Sequence, residues 1–236
     1  MNAVPAQLPL QFEIRNACSF ETLVAGDNAA TIGIARQCAL QQGEKQLLVW
    51  AQAGHGKSHL LQACCQLAAS HDYKVCYLPA GELSAVGVDA LQGLEQLDLI
   101  CIDDVHALFG RSAWERALFD LVNRCREQHA RLILSSRLAP EQWRIGLPDL
   151  ASRLQWGPVF QLKALSDRQK ITALQRRAEL RGMQLPDRVA HYMLAHFPRD
   201  LFTLFERLDQ LDQASLAQHR KLTIPFVRQT LSEFEV

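Results

Sequence analysis

Two glycines, a lysine and a serine stand together in the run Gly54, His55, Gly56, Lys57, Ser58 and His59, between the apolar Leu47–Trp50 and a second apolar stretch that starts at Leu60. Strand, Gly-rich turn and helix start in that order form a phosphate cradle: backbone N–H groups point inward and the helix N-terminus adds a positive dipole. Lys57 is the cation for the β- and γ-phosphates, and the Ser58 hydroxyl is a ligand for Mg²⁺. Gly54 and Gly56 allow the close approach of backbone to phosphate that a side chain would block. Ala51 stands where the full pattern begins with glycine, a departure that could tilt the loop or alter affinity.

Two carboxylates are placed to work on such a ligand. Asp103 and Asp104 close the apolar run Leu97–Ile102, at a strand end from which one carboxylate can reach a nucleotide-bound Mg²⁺. Asp103 reads as the metal-side residue and Asp104 as the one that polarises a water. Ser135 and Ser136 close the next apolar run and lie, on this reading, beside the γ-phosphate position, although serines also end strands for ordinary turn reasons. Arg153, in LPDLASRLQWG, and Arg199, in PRDL, carry the group best suited to stabilise charge on a transferring phosphoryl group, within one subunit or from a neighbour. Read from the residues alone, both are equally surface salt-bridge partners.

These side chains need a scaffold that brings strand ends together. Short apolar runs at Leu47–Trp50, Lys74–Pro79, Leu97–Asp104, Arg131–Ser136 and Val159–Leu162 alternate with helical stretches, of which Lys57–Ala69 and the amphipathic segment around Trp114–Cys125 are the clearest. The pattern predicts an α/β fold: a five-stranded parallel sheet with helices on both faces and ligands at the carboxyl ends of the strands. From Ser166 onward the reading is helical, with starts at Ser166-Asp167, Pro186, Pro198-Arg199-Asp200 and Ile224. The expected division is a tail over 1–17, a nucleotide-binding α/β domain over 18–164 and a helical lid domain over 165–236.

Composition narrows the classes. Lys+Arg 25 balances Asp+Glu 25, so a strong sequence-independent grip on nucleic acid, which relies on neutralising phosphates, is not expected. Seven cysteines without a CxxC pair read as buried small hydrophobes of a reducing cytoplasm. His191 and His196 flank an amphipathic helix and lack metal-ligand spacing. No secretory leader or membrane-length apolar run is seen, so a cytoplasmic location away from membranes is expected.

Taken together, AQAGHGKSHL, LICIDDVHAL, LILSSR, LASRLQWG and PRDL resemble the phosphate loop, Mg²⁺ strand, first sensor, arginine-finger box and second-sensor helix of AAA+ ATPases. Within them the chain is similar to the DnaA family, which holds the bacterial replication initiator and a shorter regulator of initiator inactivation. The resemblance runs from about Ser19 to the end of the chain. It implies that Arg153 reaches a neighbour's nucleotide, that Arg199 touches the nucleotide of its own subunit, and that Val24, Ala25 and Gly26, in SFETLVAGDN, line an adenine pocket. It also implies ADP as the nucleotide of the active form, with ATP as the alternative.

Departures from the initiator shape the expected function. No basic helix-turn-helix region follows the lid before Val236, so origin marking by that route is not expected. From Pro79 to Asp98 there is no Lys or Arg, so no electrostatic groove for single-stranded DNA is visible. Instead Gln7, Leu8, Leu10 and Phe12 look like the bacterial sliding-clamp binding peptide, in which Leu10 and Phe12 enter an apolar pocket and Gln7 bonds its edge. The expectation is a negative regulator of replication initiation that docks on the DNA-loaded clamp and uses Arg153 to stimulate hydrolysis of ATP on DnaA, with DNA met mainly through the clamp and little hydrolysis of its own. Self-association is expected to be possible, since a finger arginine needs a neighbour. The alternatives are a helicase-loader-like ATPase acting on single-stranded DNA, a small-molecule kinase and a non-enzymatic adaptor.

Overall fold

In a computed structural model of the chain, residues 18–83, 85–218 and 220–232 are described; the clamp-like peptide from Gln7 to Phe12 lies outside them. Five strands, β1 (Gln46–Trp50), β2 (Val75–Pro79), β3 (Leu99–Asp103), β4 (Arg131–Ser136) and β5 (Val159–Gln161), form one sheet in the order β2-β3-β4-β1-β5. Every pairing is parallel. Such a sheet must be covered on both faces. The period-2 alternation of the strands does this: Leu48, Ile100, Ile102, Leu132 and Leu134 face one layer, while Leu47, Val49, Leu99, Cys101 and Ile133 face the other.

The first layer is α4 (Ser112–Gln128) and α5 (Pro148–Leu154), whose Trp114, Leu118, Leu121, Leu150 and Leu154 are buried against the sheet. The second is α1 (Ala29–Ala39) and α2 (Lys57–Ala69), where Leu60, Leu61, Cys64 and Cys65 are wholly buried. A short α3 (Ala80–Leu83) follows β2. All seven cysteines are free thiols. Burial pushes the Cys38 thiol up to about 11 and those of Cys76 and Cys125 to about 12, which leaves them packing as protonated apolar groups.

Four helices build a third core: α6 (Asp167–Glu179), α7 (Asp187–His196), α8 (Leu201–Gln218) and α9 (Ile224–Ser232) enclose Leu174, Val189, Met193, Leu204, Leu208 and Val227. Ser166 starts α6 with a capping box, its hydroxyl accepting from the Gln169 N–H while the Gln169 side chain returns to the Ser166 N–H. Within this bundle the buried Arg177 is held by Asp209 at 2.8 Å and lies over the Phe205 ring.

Some bounds differ from the sequence reading for visible reasons. The third strand stops at Asp103 because Asp104 takes a left-handed conformation, φ 54°, that no strand continues. The helix opened by Ser166, expected to run to about Arg181, ends at Glu179, and the chain turns at Gly182 with φ 73°. β5 stops at Gln161, although Leu162 still donates its N–H to the Trp50 carbonyl.

Candidate functional site

The cradle sits where β1 ends. Gly54 and Gly56 have φ of 80° and 86°, a region that favours glycine, and a Cβ added at Gly56 would project into open space. Gly56 is the N-cap of α2 and makes no side-chain cap bond, so the N–H groups of the first turn face the loop. Ala51 lies outside the left-handed region and its N–H bonds the Ser136 carbonyl at 3.1 Å, so a methyl group in place of glycine leaves this part of the loop unstrained.

Lys57 is 5% exposed, with its ammonium 3.1 Å from the Gln52 carbonyl and 3.9 Å from Asp104 Oδ1. Burial lowers its pKa, opposed by Asp104 and Asp103. Asp103 is also buried: its carboxylate accepts from the Tyr77 hydroxyl at 2.7 Å and from the Ser135 hydroxyl. Burial and Asp103 raise the pKa of the Tyr77 hydroxyl, opposed by the nearby Gln62 and Ser58 side chains. A continuous polar chain therefore links Tyr77 on β2, Asp103 on β3 and Ser135 on β4. Its last member accepts the Asp104 N–H at 2.8 Å.

Asp104 Oδ1 is buried and has no hydrogen-bond partner among the described residues. An orphaned carboxylate oxygen, a buried ammonium and an uncapped helix turn on one side of a glycine loop are the features a nucleotide with Mg²⁺ would satisfy. Lys57 and the loop N–H groups would hold phosphate, while the Ser58 hydroxyl and the Asp103 carboxylate would supply the oxygen donors Mg²⁺ takes. The residues fit the group.

Beside the cradle a narrow cleft opens between the sheet domain and the lid, lined by Leu23, Val24, Ile32, Gly54, His55, Gly56 and His59 on one side and Ala173, Leu201 and Phe205 on the other. Of the three residues expected to line a base pocket, Val24 lines this cleft. Gly26 instead forms the seam with the lid: at φ 51°, a Cβ there would meet Leu165 Cδ2 at 2.9 Å. Ala25, between them, accepts the Asn28 N–H at 2.8 Å through its carbonyl, shaping the turn rather than the cleft lining. Asn28 then bonds Lys163 through both amide atoms, at 3.0 and 2.7 Å, pinning the segment to the sheet's exit. His59 bonds the Thr22 hydroxyl at 2.9 Å and lies 3.1 Å from the Ser19 carbonyl, so it fastens the same segment to α2. Burial lowers its pKa.

Two arginines are placed differently. Arg199 is 64% exposed and pairs with Asp167 at 3.3 Å, outside the cleft lining; its neighbour Asp200 is the lid residue beside Gly54. Arg153 is at the far end of β1, where its carbonyl accepts from the Gln46 side chain at 2.8 Å. Its guanidinium lies 4.3 Å from the Trp156 ring centroid and 5.0 Å from that of Phe119, and it pairs with no carboxylate among the described residues. The sequence reading missed Tyr77, Thr22, Arg137 and Trp156. Only Trp156 carried a local signal, three residues after Arg153; the others join the site through strand register and loop packing.

A parallel sheet with a Gly-Lys-Ser cradle at its carboxyl edge, two carboxylates on the adjacent strand and a helical lid over the cleft defines a P-loop protein of the AAA+ class. Comparison with known proteins narrows this. The chain belongs to the DnaA family: the model of the bacterial DnaA ATPase domain matches residues 14–161, and a model described as the lid domain of Hda matches residues 167–231. It is thus a DnaA-related replication protein with an Hda-type lid. Among solved structures it is similar to domain III of the DnaA replication initiation protein of Thermotoga maritima, with TM-score 0.80 and 21% identity over 94% of this chain and 98% of that one. It is also similar to AMPPCP-bound DnaA from Aquifex aeolicus, with TM-score 0.70 and 20% identity over 83% of this chain and 65% of that one. The RuvB Holliday junction branch migration motor of T. maritima shares the fold more loosely, with TM-score 0.62 and 13% identity over 91% of this chain and 71% of that one. At these identities the structural likeness is one of fold.

Proposed function

We propose that this chain restrains initiation of DNA replication: it holds an adenine nucleotide, ADP in its active form, with Mg²⁺ in the cleft above Lys57, docks on the DNA-loaded sliding clamp through Gln7, Leu8, Leu10 and Phe12, and presents Arg153 to ATP bound by DnaA. The observation that carries this reading is the position of Arg153. It stands at the opposite end of β1 from its own cradle, roughly 13 Å of strand away, with its charge resting on aromatic faces and no carboxylate paired with it among the described residues. A guanidinium so placed is directed to a phosphate outside its own subunit. An arginine supplied in trans is worth about 10³–10⁵ in hydrolysis rate through transition-state charge stabilisation, so one side chain suffices as a switch.

Support for the nucleotide comes from the cradle geometry and from the AMPPCP carried by DnaA relatives of the same fold. Support for DnaA as partner comes from family membership, since AAA+ fingers complete sites on proteins of their own kind. Self-association is the same contact made between two copies. The test is hydrolysis of DnaA-bound ATP in the presence of clamp and DNA. The parent chain stimulates it, Arg153→Ala does not, and a chain with Leu10→Ala and Phe12→Ala stimulates only weakly; equal stimulation by Arg153→Ala overturns the finger assignment. Tight, salt-sensitive binding of single-stranded DNA by the isolated chain would instead favour a loader-like ATPase.

A further inference from the structure

The helix that carries Arg153 is fastened at both ends by side chains of other elements. At its start stands Glu115 of α4, 3% exposed, whose carboxylate is satisfied by backbone N–H groups. Oε1 accepts from Gly146 at 3.1 Å and Oε2 from Leu147 at 3.0 Å, the two residues that lead into α5. Oε1 also accepts from Gly110, beyond β3, at 2.7 Å, so one carboxylate joins three backbone groups. A Cβ at Gly146 would come within 3.2 Å of Oε2, closer than ordinary packing. At the other end the half-buried Gln46, first residue of β1, donates its amide to the Arg153 carbonyl at 2.8 Å; the Trp156 N–H reaches the same oxygen at 3.2 Å. Between these ties Leu150 and Leu154 are wholly buried against the sheet. Isolated helices shorter than about 12–15 residues are marginal in water, so the seven-residue α5 keeps its shape and place through such attachments.

We infer that Glu115 and Gln46 are positioning residues for the finger: they fix the two ends of α5 so that the Arg153 guanidinium is offered to a neighbour's phosphate in one geometry. They act through Arg153 and not on the phosphate itself. The inference rests on the reading of Arg153 as a finger in trans. Charge stabilisation by a guanidinium depends on where its N–H groups stand when charge develops, and a misplacement of about 1 Å caused far from the chemistry can cost about 10²-fold. The chemistry of the two ties is specific. A carboxylate offers only acceptors to the three N–H groups around it, whereas an amide in its place would turn an NH₂ toward some of them. Gln46 is needed as a donor, since the oxygen it meets is a carbonyl.

The experiment uses the full chain and follows hydrolysis of DnaA-bound ATP, with sliding clamp and DNA present, against the concentration of the chain. Gln46→Met keeps the length of the side chain and removes the donor; Glu115→Gln keeps its shape and removes an acceptor. The maximal rate should fall by about 3-fold or more in Gln46→Met and about 10-fold or more in Glu115→Gln, while the half-saturating concentration and ADP affinity stay within about 2-fold of the parent. A purely structural role would instead shrink the active fraction, so that the parental maximum returns at high concentration. Melting temperature and ADP affinity report whether Glu115→Gln folds; where it does not, Gln46→Met decides alone. A parental maximum in either folded variant, or a loss regained at high concentration, overturns the positioning role. If Arg153→Ala stimulates as the parent does, the finger reading fails and the positioning role with it; a deficient Arg153→Ala beside an undiminished Gln46→Met overturns the positioning role alone.

Discussion

The two ends of β1 each carry a cation, and they are built in opposite ways. At the carboxyl end Lys57 is buried, bonded to a backbone carbonyl and flanked by Asp104, and its charge is disfavoured by its surroundings. At the amino end Arg153 is only half-buried, pairs with no carboxylate among the described residues and rests on Trp156 and Phe119. A buried ammonium with an incomplete set of partners gains from a ligand inside its own subunit. A guanidinium supported by π faces keeps its N–H edge free for an anion brought by another molecule. On the proposed function, one sheet therefore carries a receiving site and a donating site, separated by the length of a strand.

The largest effect that could break this comparison is on the donating side. Arg153→Ala should lower stimulation of DnaA-bound ATP hydrolysis by about 10³-fold or more while its own ADP affinity, read by calorimetry, stays at the parental value. Loss of ADP binding in that variant would merge the two ends into one site. Next comes the packing that sets the separation. A Cβ at Gly157 would lie 1.8 Å from the Gln46 carbonyl oxygen, so Gly157→Ala must displace the start of β1 or the loop after α5, at about 3 kcal/mol of stability by urea unfolding.

On the receiving side, Lys57→Ala should weaken ADP by about 1.5–3 kcal/mol, or 10- to 150-fold in Kd, the worth of a hydrogen bond to a charged group. Retained affinity in this variant would place the nucleotide elsewhere. Trp156→Ala, which removes a ring shared by Arg153 and Arg126, should reduce stimulation only by the about 0.5–1 kcal/mol of an exposed cation–π contact, roughly 2- to 5-fold. A loss as large as that of Arg153→Ala would show that the ring fixes the finger rather than steadies it.

The smallest expected effect concerns pH. His59 is neutral in the fold because burial and Arg177 lower its pKa, while the bond to the Ser19 carbonyl partly opposes them. The unfolded chain then takes up the proton first, so this contribution is complete above the ordinary histidine pKa of about 6.5 and is lost as pH falls from there toward the lowered folded value. Melting temperature from pH 7.5 to 5.5 should fall more for the parent than for His59→Gln. Identical slopes would remove His59 as the fastener between α2 and the Ser19–Thr22 segment.

Local pattern carried much of this molecule. The helix over Lys57–Ala69 and the strand over Arg131–Ser136 have the bounds their apolar runs indicate, because each is bracketed by glycine or charged residues and buried by its periodicity. α1 and α5 left a weaker trace: α1 is small-residue rich, and α5 is a seven-residue helix announced mainly by Pro148. Among the site residues, Lys57, Asp103 and Asp104 could be read because strand-turn-helix geometry is a local property of the chain.

What the sequence by itself determined was thus the layered parallel sheet, the cradle at its edge and the helical lid, since period and turn chemistry act over a few residues. The tertiary structure alone decided which groups meet across elements. Parallel register brings Tyr77 to Asp103, the end of β4 delivers Arg137 to Asp104, and α6 turns Arg199 outward to Asp167. Those meetings depend on contacts tens of residues apart, which hydrophobic burial and strand pairing set and no local spacing encodes.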